Sequence, residues 1–196
     1  MIIDEPVEPS TDEPPTEGPE RATEHVPSRV LVHTGDGKGK SSAAMGVMLR
    51  AVSASWKVAV IQFVKSGRWR TGEEATGRAL GVDWWSLGDG FTWDSTDMDR
   101  TEAVAREAWL SAAGLIRAGR HRLVVLDEIT YPMNWGWIDT AEVVETIRSR
   151  PHDVSIVATG RDAPAELREV ADTVTEMVSE KHAFDQGISA MRGIEF

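Results

Sequence analysis

A glycine-rich run that ends in Lys-Ser is the strongest chemical signal in the sequence. It reads Thr34-Gly35-Asp36-Gly37-Lys38-Gly39-Lys40-Ser41 and is followed by Ser42. The run fits the phosphate-binding pattern G-x-x-x-x-G-K-[S/T] except at its first position, where Thr34 replaces glycine. Its glycines let several backbone N–H groups point inward, Lys40 reaches the outer phosphates, and the Ser41 hydroxyl is a ligand for Mg²⁺. The run therefore predicts a P-loop that binds the triphosphate of a nucleotide.

A pair of acidic residues follows an apolar run at 123–126. The run ends in Asp127 and Glu128. An apolar strand that ends in an acid matches a Walker-B strand, which places a carboxylate near a metal ion at the carboxyl edge of a parallel sheet. Acids often follow strands without binding anything, so the P-loop upstream is what favours the functional interpretation. We predict that Asp127 and Glu128 lie beside a nucleotide-bound metal ion.

Two large aromatic residues lie in a segment that otherwise has the character of a loop. The segment reads Gly90-Phe91-Thr92-Trp93. Phe91 and Trp93 either fold back on the core or contact a flat apolar ligand, because exposed apolar patches usually have a partner. The chain holds eight tryptophans, at positions 56, 69, 84, 85, 93, 109, 135 and 137. Core packing explains part of this number, and a pocket for a large flat ligand would explain the rest.

An arginine follows the last clear strand of the sequence. The segment reads Thr159-Gly160-Arg161. At the carboxyl end of a strand, Arg161 is suited to binding a phosphate group, although surface arginines are equally common. His182, nearer the C-terminus, has no companion that indicates catalysis, and we expect it to be structural.

Short apolar strands alternate with helical patterns from residue 29 onward. The predicted strands are 29–34, 57–64, a short one at 81–86, 122–126 and 154–159, and the predicted helices are 40–54, 96–118 and 140–149. Such alternation implies βαβ crossovers. The sequence therefore predicts an α/β fold with a mostly parallel sheet.

Length and composition limit the class of protein. The chain has 196 residues, a formal net charge of −11 and no cysteine. This length suits one α/β domain, and the acidity argues against nucleic acid as a partner. Without cysteine, disulfides and thiolate metal sites are excluded. The N-terminus lacks a signal-peptide pattern and no run is long enough to span a membrane, so we expect a cytoplasmic protein without membrane contact.

The first 27 residues differ from the rest of the chain. They hold six prolines and a single arginine, and their acidic residues are Asp4, Glu5, Glu8, Asp12, Glu13, Glu17, Glu20 and Glu24. Such a segment cannot bury enough apolar area to offset its ordering entropy, so we expect it to be disordered when isolated. It is either a solubilising tail or a segment that orders over the active site when ligands bind. Residues 28–196 form the predicted catalytic domain.

Five segments together resemble the P-loop type of ATP:corrinoid adenosyltransferases, also called cob(I)yrinic acid a,c-diamide or cob(I)alamin adenosyltransferases. In chain order they read TGDGKGKS, GFTW, VVLDEITY, ATGRDAP and KHAFDQGISAMRGIEF. The resemblance covers about residues 28–196. The P-loop is shared by many families, whereas the other segments are more specific. Ser41 and Ser42 stand where threonine is usual in the family, and serine retains the hydroxyl group.

The resemblance implies a fold, a reaction and partners. The fold would be RecA-like, with a mostly parallel sheet flanked by helices, in a homodimer. The Co(I) centre of a reduced corrinoid would attack C5′ of ATP, and triphosphate would leave intact in the presence of Mg²⁺ or Mn²⁺. An electron donor such as a flavodoxin or a reduced flavin would supply the Co(I) state. The chemistry is plausible because Co(I) is itself a strong nucleophile, so the protein needs only to position C5′ and stabilise the leaving group.

The resemblance also implies a role for each motif. Residues 34–42 and Arg161 would bind the nucleotide, with Lys40 and Glu128 close to the reacting groups. Ser41, Asp127 and Glu128 would contact the metal. Phe91 and Trp93 would press on the cobalt face of the corrinoid, giving a four-coordinate Co(II) that is easier to reduce.

Two other functions are compatible with the P-loop alone. One is an NTPase or kinase that cleaves the β–γ bond, and the other is a nucleotide-dependent switch protein without rapid turnover. The aromatic loop around Phe91 and Trp93 favours the adenosyltransferase, because neither alternative needs a flat apolar site.

Overall fold

A computed structural model describes residues 25–66, 71–88 and 98–195. Within these residues the chain forms β1 (Val30–Thr34), α1 (Lys40–Ser53), β2 (Val58–Ser66), α2 (Gly72–Ala79), β3 (Asp83–Gly88), α3 (Met98–Ala118), β4 (Leu123–Asp127), α4 (Thr130–Asn134), α5 (Thr140–Arg148), β5 (Ser155–Thr159), α6 (Ala165–Val170) and β6 (Thr173–Glu176). A short 3₁₀ helix, Ala183–Gln186, follows β6. None of the helices described is long and apolar enough to cross a membrane.

The strands form one parallel sheet in the order β3-β2-β4-β5-β1-β6. The predicted α/β fold with a mostly parallel sheet is therefore confirmed. All carboxyl ends lie at the same edge, where parallel α/β sheets bind their ligands. The strand register sets Gln62 of β2 beside Asp127 of β4, and His33 of β1 beside Thr159 of β5. The sheet thus gathers motifs that are far apart in sequence.

Two apolar layers cover the faces of the sheet. On one face, α3, α5 and α6 pack on side chains of β1, β2, β4 and β5, with the fully buried Trp109 of α3 at the centre. On the other face, Met45 and Met48 of α1 pack beside Trp84 of β3. The central strand β4 is buried over its whole length. This burial explains why its sequence is a continuous apolar run.

The predicted helix at 140–149 is confirmed as α5. The spacing of Asp139 and Glu142 is that of a capping box, in which both side chains bond to the first turn of the helix. The Asp139 side chain does accept a hydrogen bond from the Ala141 N–H at 2.9 Å, as an N-cap residue does. Glu142 does not complete the box. Its Oε1 instead accepts from Trp109 Nε1 at 2.9 Å, because the buried indole needs a partner.

Four short elements have no clear sequence signal. Helices α2, α4 and α6 have only eight, five and six residues, too few for a helical period to be recognised. Strand β6 is exposed at every position, so it lacks the apolar run of a buried strand. Two predictions lie outside the described residues. They concern the N-terminal segment as far as residue 24 and the aromatic loop that contains Phe91 and Trp93.

Candidate nucleotide-binding site

The predicted P-loop connects β1 to α1 at the carboxyl edge of the sheet. Gly35 and Gly39 have φ values of 93° and 108°, a region that glycine adopts readily and other residues rarely do. The Lys40 ammonium folds back over the loop and donates hydrogen bonds to the carbonyl oxygens of Gly35 at 2.7 Å and Gly37 at 2.6 Å. Ser41 is half-buried in the first turn of α1, and Ser42 and Lys38 are exposed. The loop is thus held in a closed conformation by hydrogen bonds from its own lysine.

Thr34 has a structural role at the position where the pattern has glycine. Its side chain is buried, and its Oγ1 accepts a hydrogen bond from the Ala163 N–H at 3.1 Å. This bond ties the end of β1 to the loop that follows β5. The structure thus places Thr34 as a support beneath the P-loop, and its predicted contact with nucleotide stays a prediction.

The segment after β6 packs directly on the P-loop. The Gly37 N–H donates to the Met177 carbonyl at 2.7 Å, and the Met177 N–H donates to the Thr34 carbonyl at 2.8 Å. A Cβ on Gly37 would lie 2.6 Å from the Val178 carbonyl oxygen and 2.8 Å from that of Met177. Gly37 is therefore required for this close backbone approach, in addition to any part in phosphate binding.

Gly37→Ala tests this contact. We expect the variant to lose about 1–3 kcal/mol of stability, because the methyl group must displace the backbone at 177–178 and break the Gly37–Met177 bond. Nucleotide affinity should fall with it. Gly46→Ala is a matched control, since a Cβ on this α1 residue meets nothing within 4 Å, and we expect it to stabilise the helix by about 0.5–1 kcal/mol. Urea unfolding of both variants is the measurement, and equal stabilities would contradict the prediction.

Asp127 is held on both of its carboxylate oxygens. Oδ1 accepts from the Thr159 hydroxyl at 2.8 Å, and Oδ2 accepts from Gln62 Nε2 at 3.0 Å. The Gln62 amide is itself fixed, because its Oε1 accepts from Trp84 Nε1 and the Ser86 hydroxyl. Asp127 has no solvent exposure. The structure therefore places Asp127 in a buried network, and its direct metal contact stays a prediction.

Glu128 projects from the end of β4 with a left-handed backbone. Its φ is 66°, which is uncommon for a residue with a side chain, and its N–H donates to Thr159 Oγ1 at 2.9 Å. Burial and the charge of Asp127 raise the pKa of Glu128 to about 7, although Lys65, Lys40 and Lys38 act in the opposite direction. A nearby cation would stabilise the ionised form of such a carboxyl group, so Glu128 is suited to binding one.

Arg161 is brought to the P-loop by the turn after β5. Its Nε lies 3.7 Å from Asp36 Oδ1, and its carbonyl oxygen accepts from the Thr130 hydroxyl at 2.6 Å. Gly160 has a φ of 141°, and a Cβ there would collide with the Thr130 side chain. Glycine at position 160 is therefore required by the close contact with α4, which fixes the backbone of Arg161 beside the site.

An aromatic cluster begins next to Glu128. Tyr131 stacks on Trp135 with 5.8 Å between ring centroids, and Trp135 lies 4.6 Å from Trp137. Trp135 is 41% exposed, whereas Trp84 and Trp109 are buried in the core. Burial and the charge of Glu128 raise the pKa of Tyr131, although Arg161 acts in the opposite direction. Among the described residues, Trp84 and Trp109 thus belong to the core, whereas Trp135 belongs to an exposed aromatic surface.

The donor groups of the site suit a magnesium ion that is held mainly by phosphate. No cluster of three His, Cys, Asp or Glu residues able to hold a metal occurs among residues 25–66, 71–88 and 98–195. Mg²⁺ needs no such cluster, because it is commonly bound by one or two protein oxygens together with substrate phosphates and water. Ser41 and Glu128 would supply those oxygens.

Three polar residues of the site were not singled out from the sequence. They are Gln62, Lys65 and Thr159, the last in its role as the hydrogen-bond donor to Asp127. Gln62 has a recognisable signal, since it is the only strongly polar residue within the apolar run 58–64. A buried amide in such a run needs partners and indicates a network. Lys65 gives no such signal, because a lysine at a strand end is normally a solvated surface residue.

The fold and this loop define a P-loop nucleotide-binding protein of the α/β class. A family model described as "ATP:corrinoid adenosyltransferase BtuR/CobO/CobP" matches residues 27–196. The chain belongs to this family. The family, the fold class and the class of enzyme predicted from the sequence are thereby confirmed.

Characterised relatives agree with the family assignment. A corrinoid adenosyltransferase of a Sinorhizobium species is 44% identical over 171 residues, which cover 85% of this chain and 79% of the relative. The corrinoid adenosyltransferase of Pseudomonas aeruginosa is 45% identical over 169 residues, covering 85% of this chain and 83% of the relative. That of Escherichia coli K12 is 39% identical over 167 residues, with 85% of each chain covered. The similarity thus extends over nearly all of the catalytic domain.

Proposed function

We propose that this protein transfers the 5′-deoxyadenosyl group of ATP to the Co(I) centre of a reduced corrinoid. The cobalt supplies the electron pair of the new Co–C bond, and the C5′–O5′ bond breaks with its electron pair passing to the oxygen of the leaving triphosphate. The cobalt is formally oxidised from Co(I) to Co(III). No proton transfer is required at the reacting carbon, so the protein acts by positioning and electrostatic stabilisation.

The observation that carries this proposal is the P-loop site of a chain that belongs to the adenosyltransferase family over residues 27–196. Lys40 lies within the loop, and Arg161 approaches it from the turn after β5. Burial lowers the pKa of Lys40, and the neighbouring charges of Arg161 and Lys38 lower it further, whereas Asp36 and Glu128 act in the opposite direction. Three cationic side chains near one glycine-rich loop are suited to binding a polyanion, which supports a triphosphate site.

Further parts of the proposal concern metal, corrinoid and partners. Ser41 and Glu128 would hold Mg²⁺ or Mn²⁺, which would neutralise charge on the triphosphate. Phe91 and Trp93 would contact the corrinoid. The protein would act as a homodimer in the cytoplasm, with a flavodoxin or reduced flavin as electron donor. These statements extend the resemblance to the family to residues and partners of this chain.

The reaction is tested by product analysis. Purified protein is incubated with ATP, Mg²⁺ and a corrinoid that has been reduced chemically to Co(I), and the products are followed by absorbance and phosphate chromatography. We expect a light-sensitive adenosylated corrinoid together with an equal amount of intact triphosphate. ADP and orthophosphate without a change at cobalt would reject the adenosyl transfer and favour an NTPase or kinase.

A further inference from the structure

Lys65 lies in the part of β2 that extends beyond its neighbour β4. Gln62 pairs with Asp127, the last residue of β4, whereas β2 continues to Ser66. Along β2, Ile61 and Phe63 face the α3 side of the sheet, and Val60 faces the α1 side. Strict alternation would place Lys65 on the same side as Phe63.

An irregularity between β2 and β3 changes this direction. Gln62 pairs with Ser86, but the next pairing joins Ser66 to Leu87 and Gly88. Gly88 approaches so closely that a Cβ there would collide with the Val64 backbone. Bulges of this kind redirect a side chain and are frequent next to active sites. As a result, Lys65 Nζ lies 3.5 Å from Asp127 Oδ2, on the side of the sheet that Gln62 faces.

Each carboxylate oxygen of Asp127 accepts a hydrogen bond from a residue other than Lys65. Thr159 and Gln62 already donate to its two oxygens at 2.8 and 3.0 Å. The 3.5 Å separation from Lys65 is longer than a well-formed hydrogen bond. An ammonium group has three N–H donors, and the Lys65 side chain is 31% exposed. Lys65 therefore has donors available to a ligand at the carboxyl edge.

Glu128 lies between two groups of cations. Lys65 lowers its pKa from the β2 side, and Lys40 and Lys38 lower it from the P-loop on the β1 side. Burial alone would lower the pKa of Lys65, but the charges of Asp127, Glu128 and Glu73 outweigh burial and raise it. Lys65 is thus a charged group held at the edge of the sheet away from the P-loop.

We propose that Lys65 binds the polyphosphate of the substrate and of the released triphosphate, as a second anchor opposite the P-loop. This inference rests on the proposed function, in which the leaving group is a whole triphosphate. An extended polyanion is stabilised best when cations lie along its full length. One anchor at the P-loop and one at the end of β2 would meet that requirement.

The test measures the binding of inorganic tripolyphosphate by calorimetry at fixed Mg²⁺ and ionic strength. Lys65→Met should weaken binding by about 10- to 100-fold, as expected for one charge-assisted hydrogen bond. Lys65→Arg should remain near the wild type. Lys57→Met is the matched control. Lys57 also pairs with an aspartate, 3.3 Å from Asp83 Oδ2, but it lies at the opposite edge of the sheet, and its loss should leave binding unchanged.

Lys65→Gln separates ligand binding from a structural role. Glutamine keeps a hydrogen-bond donor but carries no charge, so it remains informative if Lys65→Met fails to fold. Weak binding by the glutamine variant supports the proposal. Wild-type affinity in the glutamine variant would overturn it and assign Lys65 to the support of Asp127. Because no reaction takes place in this assay, its result is independent of whether product analysis shows adenosyl transfer.

Discussion

Lys40→Met is expected to reduce kcat/KM for adenosyl transfer by about 1,000-fold or more. Lys40 has one function in the structure and a second one in the proposed reaction. Its ammonium bonds to the carbonyl oxygens of Gly35 and Gly37, which closes the P-loop. In the proposed reaction it would also supply positive charge to the leaving phosphates. Methionine has a similar length but provides neither hydrogen bonds nor charge. Steady-state kinetics with ATP and a chemically reduced corrinoid measure the effect.

Two variants show which function of Lys40 dominates. Lys38→Met removes the neighbouring exposed lysine. It should lower kcat/KM only about tenfold, because Lys38 makes no bond that closes the loop. Lys40→Arg retains the charge but replaces a compact ammonium by a planar guanidinium, which does not fit between two carbonyl groups. We expect it to bind ATP weakly. A Lys40→Met enzyme within tenfold of the wild type would contradict the assigned role.

Glu128→Gln is expected to have opposite effects on activity and on stability. In the reaction, loss of the carboxylate should lower kcat about 100-fold, because the metal-bound triphosphate loses a charged ligand. In the metal-free protein, the same change should be stabilising above about pH 7. There the partly buried Glu128 is ionised beside Asp127, and glutamine removes that repulsion.

The pH dependence follows from the direction of the pKa shift. The pKa of Glu128 is about 7 in the folded protein, against an ordinary value of 4.5. The folded state therefore binds more protons between these values, and the wild type loses stability as the pH rises from about 4.5 to 7. The variant lacks this loss, so its free energy of unfolding should exceed that of the wild type by up to about 3 kcal/mol above pH 7. Below pH 4.5 the free energies of unfolding of the two proteins should be equal.

Chemical denaturation across this pH range, with a chelator present, measures the difference. Glu102→Gln is the control, since Glu102 is an exposed carboxylate on α3, and its loss changes the net charge by the same amount. Parallel curves for the wild type and Glu128→Gln would show that Glu128 is not buried beside Asp127 as described.

The local motifs explain why the main fold was predictable. The P-loop, the β4 run that ends in Asp127, and the strand before Arg161 each carry their signal within a few residues. Continuous apolar strands also identify a parallel sheet, because its strands are buried on both faces. The meeting of these motifs at one edge then follows from the βαβ connections, which keep the strands parallel. The strand order does not follow from them, since β1 lies between β5 and β6 and not beside β2.

The polar network of the site was harder to predict from the sequence, because it depends on strand register. Whether Gln62 faces Asp127 is set by the pairing of β2 with β4. The direction of Lys65 depends on an irregularity that Gly88 imposes from β3. Neither pairing can be read from one segment alone. For the same reason the sequence could not show that Asp127 is already bound by Thr159 and Gln62.

The position of β1 has a consequence for the order in which the protein can be completed during synthesis. The first strand of the sheet lies between the last two, β5 and β6, and the P-loop after it bonds to Met177. A chain still emerging from the ribosome therefore carries its phosphate-binding sequence long before the residues that complete the loop. The P-loop can make its bonds to Met177 only after that residue has been synthesised, so a nascent chain that ends before it lacks this part of the site.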